Sequence, residues 1–275
     1  MGMIDDTPVQ MRQEDQTLLV KGGIPGLPET VRHYFALDHS LGDICRSFPD
    51  DPAMNAAADY CRGLRIIRQP KWECLATFIC SSMKQVAHIR QMSHALRTSF
   101  GEARQIDEHV LYTFPKATAL TKKSEADLRK CALGYRAKNL LATAHAVASG
   151  KVDLEGWSQL PDDELRKNLC ALPGVGPKVA NCVMLFAYER LTAFPIDVWI
   201  ERVLRGRYFA GKRKPTAAKL KKFSADYFGT HGGYAQQYLF HHARMTSRRG
   251  AAKGQATCPP LEAPARKPAA QPLSS

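Results

Sequence analysis

Leu169-Cys170-Ala171-Leu172-Pro173-Gly174-Val175-Gly176-Pro177-Lys178-Val179-Ala180 is the most informative stretch of the chain. A helix is predicted to end near Cys170, a tight turn follows over LPGVG, and Pro177, whose ring pre-sets a helical φ, opens the next helix. Gly174 and Gly176 carry no side chains, so the backbone amides of the turn can come close to a ligand. Together with the free N–H groups and the dipole of the following helix they form an anion site suited to a phosphate. Taken alone, a G-x-G turn is equally an ordinary helix–helix connection whose glycines supply positive φ.

The charge of the chain weighs against the ordinary reading. The 275 residues carry 39 Lys+Arg and 26 Asp+Glu, a net of +13. Residues 1–60 hold four basic and ten acidic residues, so the rest is far more basic, and from Arg202 to Lys222 there are nine basic residues and no acid. Such a field attracts polyanions: nucleic acid, acidic lipid or an acidic protein. Joined to a phosphate-suited turn it selects DNA, with the backbone held at Gly174, Val175 and Gly176. No run of ~18 apolar residues occurs, so no transmembrane helix is predicted. The N-terminus is acidic and polar, so no signal peptide is expected and the chain is expected inside the cell. Eight cysteines contain no C-x-x-C pair, which argues against a zinc ribbon or an iron–sulfur clip.

Lys178 falls at the second position of the helix after the turn. A cation there opposes the helix dipole, and a lysine amine free of its proton attacks carbon to form a Schiff base. On the turn alone a phosphate-binding lysine fits better. The segment Ala193-Phe194-Pro195-Ile196-Asp197-Val198-Trp199 changes that balance. Asp197 sits as the N-cap of the next helix, and a carboxylate brought back beside the lysine stabilises a cationic sugar in a transition state.

The remaining pattern is helical. Residues 9–21 read as a strand, a turn and a second strand, leaning on something larger. From Val31 onward the apolar spacing follows the 3.6-residue period, with a helix that Pro70 begins and Ser81-Ser82 interrupts, and others over 86–100, 124–131, 136–149, 162–170, 177–190, 197–209, 215–227 and 234–242. No alternating pattern is read after Val20. The predicted architecture is mainly α: a remnant β segment over 1–30, a helical body over 31–243 with its hairpin at about 169–190, and a basic, Pro- and Ala-rich disordered tail over 244–275.

LPGVGPKVA followed by FPIDVWIERV resembles the helix-hairpin-helix (HhH-GPD) superfamily of base-excision DNA glycosylases. RHYFALDHSL, GLRIIRQPKWECLATFICSS, LGYRAKNL and LCALPGVGPKVANC, in that order, are most similar to the 8-oxoguanine DNA glycosylases. The resemblance implies a two-lobed helical fold and a bifunctional glycosylase/AP lyase, because the members with both activities have a lysine at the Lys178 position. It makes Lys178 the nucleophile and Asp197 its carboxylate partner. It puts Cys182 against one face of the extruded base, Phe240 on the other, and Gln236 on the base's Watson–Crick edge. Tyr135 and Arg136 match residues that fill or flank the gap in the duplex.

The departures from the family are specific. Met83 and Lys84 stand where the family has asparagines, His88 where an arginine contacts the orphaned cytosine, and Trp199 where a histidine follows the aspartate. No acid follows Phe240 in His241-His242-Ala243. The N-terminal β domain reads as cut short, without the glycine-containing strand that touches the oxidised base's N7 hydrogen. After Cys182 only Cys258 remains, so no iron–sulfur cluster is expected; neither is a catalytic metal or redox cofactor, although the resemblance allows a structural monovalent cation at the hairpin carbonyls. The expected partner is duplex DNA containing a damaged base, bound by a monomer, in the bacterial nucleoid or a nucleus and not at a membrane. Two rivals are a glycosylase of other base specificity and a non-catalytic module that binds damaged DNA.

Overall fold

Three strand-to-strand turns are built alike. Asp5-Asp6, Asp15-Gln16 and Asp107-Glu108 are two-residue loops, and the leading aspartate of each has φ near +50° (52°, 49° and 52°). Aspartate tolerates this left-handed geometry better than most residues. These turns join β1 (Gly2–Ile4), β2 (Thr7–Glu14) and β3 (Thr17–Gly22) into an antiparallel sheet, and β4 (Ala103–Ile106) to β5 (His109–Tyr112) in a separate hairpin. The computed structural model describes residues 1–81, 85–211 and 213–252.

The expected β2–β3 hairpin is present, but β1, β4 and β5 were not expected. Of β4 only Ile106 is buried, so little alternation marks it, and no glycine flags its turn. The β4–β5 hairpin lies beside β1 and β2, and Lys21 of β3 pairs with Asp107 at 2.6 Å. Ile4, Val9, Leu27 and Val31 form a small core between the sheet and α1 (Leu27–Tyr34). The expected boundary at residue 30 falls inside α1, because Leu27 and Val31 on one helix face both pack against the sheet.

The helical body continues with α2 (Leu41–Arg46), α3 (Pro52–Tyr60), α4 (Lys71–Cys80), α5 (Val86–Phe100), α6 (Ala117–Leu120), α7 (Glu125–Lys130) and α8 (Arg136–Ala148). After these come α9 (Asp162–Cys170), α10 (Pro177–Ala187), α11 (Val198–Val203), α12 (Ala217–Phe228) and α13 (Gly232–Ala252). They form two packed groups over one continuous apolar core. In one, α4 lies against α8 and α10, and α10 against α9; in the other, α13 lies against α3, α11 and α12. The predicted helix over 197–209 is α11 followed by a π-helical turn, Leu204–Tyr208. Tyr208 and Tyr227 both donate to the carboxylate of Asp51 at 3.0 Å, and the same carboxylate caps α3, which ties the second group together. The predicted disordered tail is corrected in part: α13 runs unbroken to Ala252, since RMTSRRGAA contains no helix breaker beyond Gly250. Residues 253–275 lie outside the described residues.

The two groups pack tightly at Gly233. A Cβ there would lie 2.3 Å from a Leu185 methyl of α10 and 2.9 Å from the Ala193 carbonyl, while Gly233 donates its N–H to Leu191 at 2.7 Å. Gly233→Ala is expected to destabilise the fold by about 1–3 kcal/mol through overpacking, read as a lower urea midpoint at unchanged slope.

Candidate active site

The sequence around the turn folds as its residues dictate. Leu165 and Leu169 anchor α9 in the core, and Leu172 and Val175 donate their N–H groups to the carbonyls of Leu169 and Leu172, both at 3.1 Å. Gly174 has φ +79°, and a Cβ on it would sit 2.7 Å from Asn139 Nδ2 of α8. Gly176 caps α10 in an extended conformation with open space where a side chain would go, and Pro177 takes the first helical position. The α10 hydrogen-bond ladder starts with Ala180 donating to Gly176 at 2.9 Å, so Lys178 and Val179 keep the unpaired amides of a helix start.

Val175 departs from the expectation. Its side chain is buried and its N–H is committed inside the turn, so it closes the hairpin and does not offer an amide to phosphate. Gly174→Ala is expected to cost about 1–2 kcal/mol for a left-handed alanine, with a further penalty for displacing Asn139. Thermal unfolding measures the first, and weaker binding to undamaged duplex reports distortion of the turn.

Lys178, half-buried at the second position of α10, holds its Nζ 5.3 Å from the centroid of Phe78 on α4. Phe78 is itself fixed by stacking on Phe186 of α10, with centroids 5.7 Å apart. Cys182 lies one turn along α10 and is buried. Burial pushes its thiol up to about 11; the nearby Lys178 cation opposes that rise, Asp197 adds to it, and a hydrogen bond with Lys178 opposes it again. Lys178, Cys182 and Asp197 are thus brought within electrostatic reach across the boundary between the two helix groups. Asp197 caps α11, accepting the Ile200 N–H at 2.9 Å. That bond uses one of the roughly four lone-pair sites of a carboxylate, so capping and catalysis are compatible.

Gln236 and Phe240 are one turn apart on α13, which packs against the Asp197 helix. Gln236 is buried and accepts from Gln237 Nε2 at 2.6 Å, while Phe240 is half-buried at the edge of the core. Tyr135, 56% exposed, projects at the start of α8 beside the hairpin. Arg136 is buried: its guanidinium carbon lies 4.4 Å from the Tyr135 ring centroid and it donates to Leu133 at 3.3 Å, so here it braces Tyr135. His88 is exposed in the first turn of α5. Met83 and Lys84 lie outside the described residues.

A cleft of about 1140 Å³ opens at the other end of α10, lined by Arg68, Trp72, Tyr188 and Glu189 among others, and shares no residue with the Lys178 site. Phe78 and Asn139 were missed in the sequence. Phe78 meets Lys178 from a hundred residues away, and no local pattern marks it; Asn139 is signalled only by the need for a bare glycine opposite. Among the described residues no group of three or more His, Cys, Asp or Glu side chains is placed to hold a metal ion, and no helix is long and apolar enough to cross a membrane.

Comparisons with known proteins extend along most of the chain. The N-terminal domain of 8-oxoguanine DNA glycosylase matches residues 2–75, and the HhH-GPD superfamily of base excision DNA repair proteins matches residues 76–228. A probable N-glycosylase/DNA lyase of Methanothermobacter thermautotrophicus is 29% identical over 87% of this chain and 83% of its own length. The structure of MBOgg1 in complex with a low-affinity DNA ligand is 34% identical with a TM-score of 0.82, over 87% of this chain and 82% of that one. An 8-oxoguanine glycosylase/lyase of Clostridium acetobutylicum, bound to double-stranded DNA containing cytosine opposite 8-oxoguanine, is 30% identical with the same TM-score and coverage. The superfamily match spans more than half of the chain, from the middle of α4 to the end of α12, and so takes in the hairpin, Lys178 and Asp197. The chain therefore belongs to the HhH-GPD superfamily of base excision DNA repair proteins, with the N-terminal domain of the 8-oxoguanine DNA glycosylases.

Proposed function

We propose that the protein is a bifunctional DNA glycosylase/AP lyase that removes 8-oxoguanine from duplex DNA. The observation that carries this reading is the meeting of Lys178, Cys182 and Asp197 at the start of α10, where a phosphate-suited turn delivers DNA. Binding is electrostatic first, and the damaged nucleotide is then extruded from the stack. The base enters between Cys182 and Phe240, with Gln236 on its hydrogen-bonding edge; the buried, still protonated thiol makes that wall apolar. Lys178 Nζ, having lost its proton, forms a bond to the anomeric carbon as the glycosidic bond breaks. The bonding pair leaves with the base, which takes up a proton. Asp197 stabilises the cationic sugar through this step. Opening of the sugar ring leaves a protonated Schiff base, and loss of the adjacent C2′ proton expels the 3′ phosphate, cutting the strand.

One chain holds all of these groups, so the acting unit is a monomer working on cellular DNA. The carbonyls of Leu169 and Leu172 each accept one N–H, so a monovalent cation at the hairpin would use their second lone pairs; no chemical step runs through it. The test is borohydride trapping on a duplex with 8-oxoguanine opposite cytosine. A covalent adduct is expected. An adduct on an abasic duplex alone would keep the lyase and move the substrate to another base. No adduct on either would overturn the lysine mechanism and leave a damaged-DNA-binding module.

A further inference from the structure

We infer that Arg244 is a further substrate-binding residue, placed to hold the phosphate of the extruded nucleotide at the mouth of the base pocket. Gln236, Phe240 and Arg244 recur every four residues along α13, so they share one face of that helix. The guanidinium carbon of Arg244 lies 5.9 Å from the centroid of the Phe240 ring, and Arg244 is half-buried where the two residues before Gln236 and Gln236 itself are fully buried. The face therefore runs from a buried amide, through a half-buried ring, to a half-buried cation. Along that line a nucleotide presents its base edge, its base face and its phosphate in the same order.

The chemistry of the guanidinium fits this position. It is planar, permanently charged, stacks on an aromatic face, and offers paired N–H donors to phosphate oxygens. Resting over Phe240, it covers part of the ring that a base would cover. A phosphate offers its N–H groups the paired acceptor oxygens that a ring lacks.

This inference rests on the glycosylase reading, and its test separates the two. Binding of full-length parent, Arg244→Gln and Arg244→Lys would be measured across a salt series. The probes are an undamaged duplex and one bearing a tetrahydrofuran abasic analogue, whose sugar and phosphate can be extruded. On the abasic analogue, Arg244→Gln should bind about 3–10-fold more weakly, with a salt slope smaller by about one, as for loss of a phosphate contact. Arg244→Lys should restore the slope, and the undamaged duplex should show neither change. Equal loss on both duplexes would reduce Arg244 to general surface charge and overturn the inference, as would an unchanged slope. A parent that binds both duplexes equally would instead count against the glycosylase reading. Arg244→Lys also guards against a folding defect, because it keeps the long stem and the charge.

Discussion

Replacing Lys178 with glutamine is expected to abolish the borohydride-trapped adduct and slow release of 8-oxoguanine by at least about a thousandfold, since the covalent route is closed. Glutamine keeps a polar side chain of similar reach over Phe78, so the fold should change by no more than the ~1 kcal/mol of one lost cation–π contact. Duplex binding should survive, with a salt slope lower by at most about one. The hairpin amides and the basic face are untouched. A slow hydrolytic release without strand cutting would show that Asp197 and the pocket still act on the sugar in the absence of the amine. If Lys178→Gln trapped as the parent does, another amine would be the nucleophile and the site would have to be redrawn. If it also lost binding, Lys178 would be a phosphate ligand, the reading that the turn alone favours.

Much of the site was legible because its parts are local. Pro177, the two glycines, Lys178 and Cys182 lie within nine residues, and the helix start fixes their relative positions. The N-cap role of Asp197 was likewise written in its neighbours, because an apolar entry ending in an aspartate announces a helix. What joins them is not local. The packing of α4 along α10 sets Phe78 against Lys178, and the loop at Leu191–Ala193 returns the chain so that Asp197 comes within electrostatic range of Cys182. A single sequence carries no mark of either approach; only the family resemblance brought the lysine and the aspartate together.

The fold was legible to the same extent. Helices with a clear apolar face, such as 86–100 and 162–170, have the bounds their spacing predicts. The β4–β5 hairpin escaped because its turn is Asp-Glu and its strands are mostly exposed, so neither signal of a hairpin is present. The end of α13 escaped for the opposite reason. Arginines and alanines suit a solvated helix as well as a tail, and composition does not choose between them.

Asp197→Asn separates two roles that one side chain holds in the structure. Asparagine caps a helix about as well as aspartate, so α11 should keep its first turn and stability should change by only about a few tenths of a kcal/mol, whereas Asp197→Ala should lose ~0.5–2 kcal/mol. The charge is gone in both variants. Base release should fall by about a hundred- to a thousandfold in each, the scale of removing one preorganised electrostatic partner of a transition state. Strand cutting at a preformed abasic site should suffer less, because no glycosidic bond has to break there and the cationic sugar need not form from an intact nucleotide. The Cys182 thiol supplies an independent readout: Asp197 helps to raise it, so its titration should move down in Asp197→Asn without any change in burial. A variant that keeps the cap, lowers the thiol and still releases base at the parental rate would confine Asp197 to capping α11. One that loses base release but keeps the lyase would assign the carboxylate to glycosidic bond cleavage, and leave Lys178 as the group common to both steps.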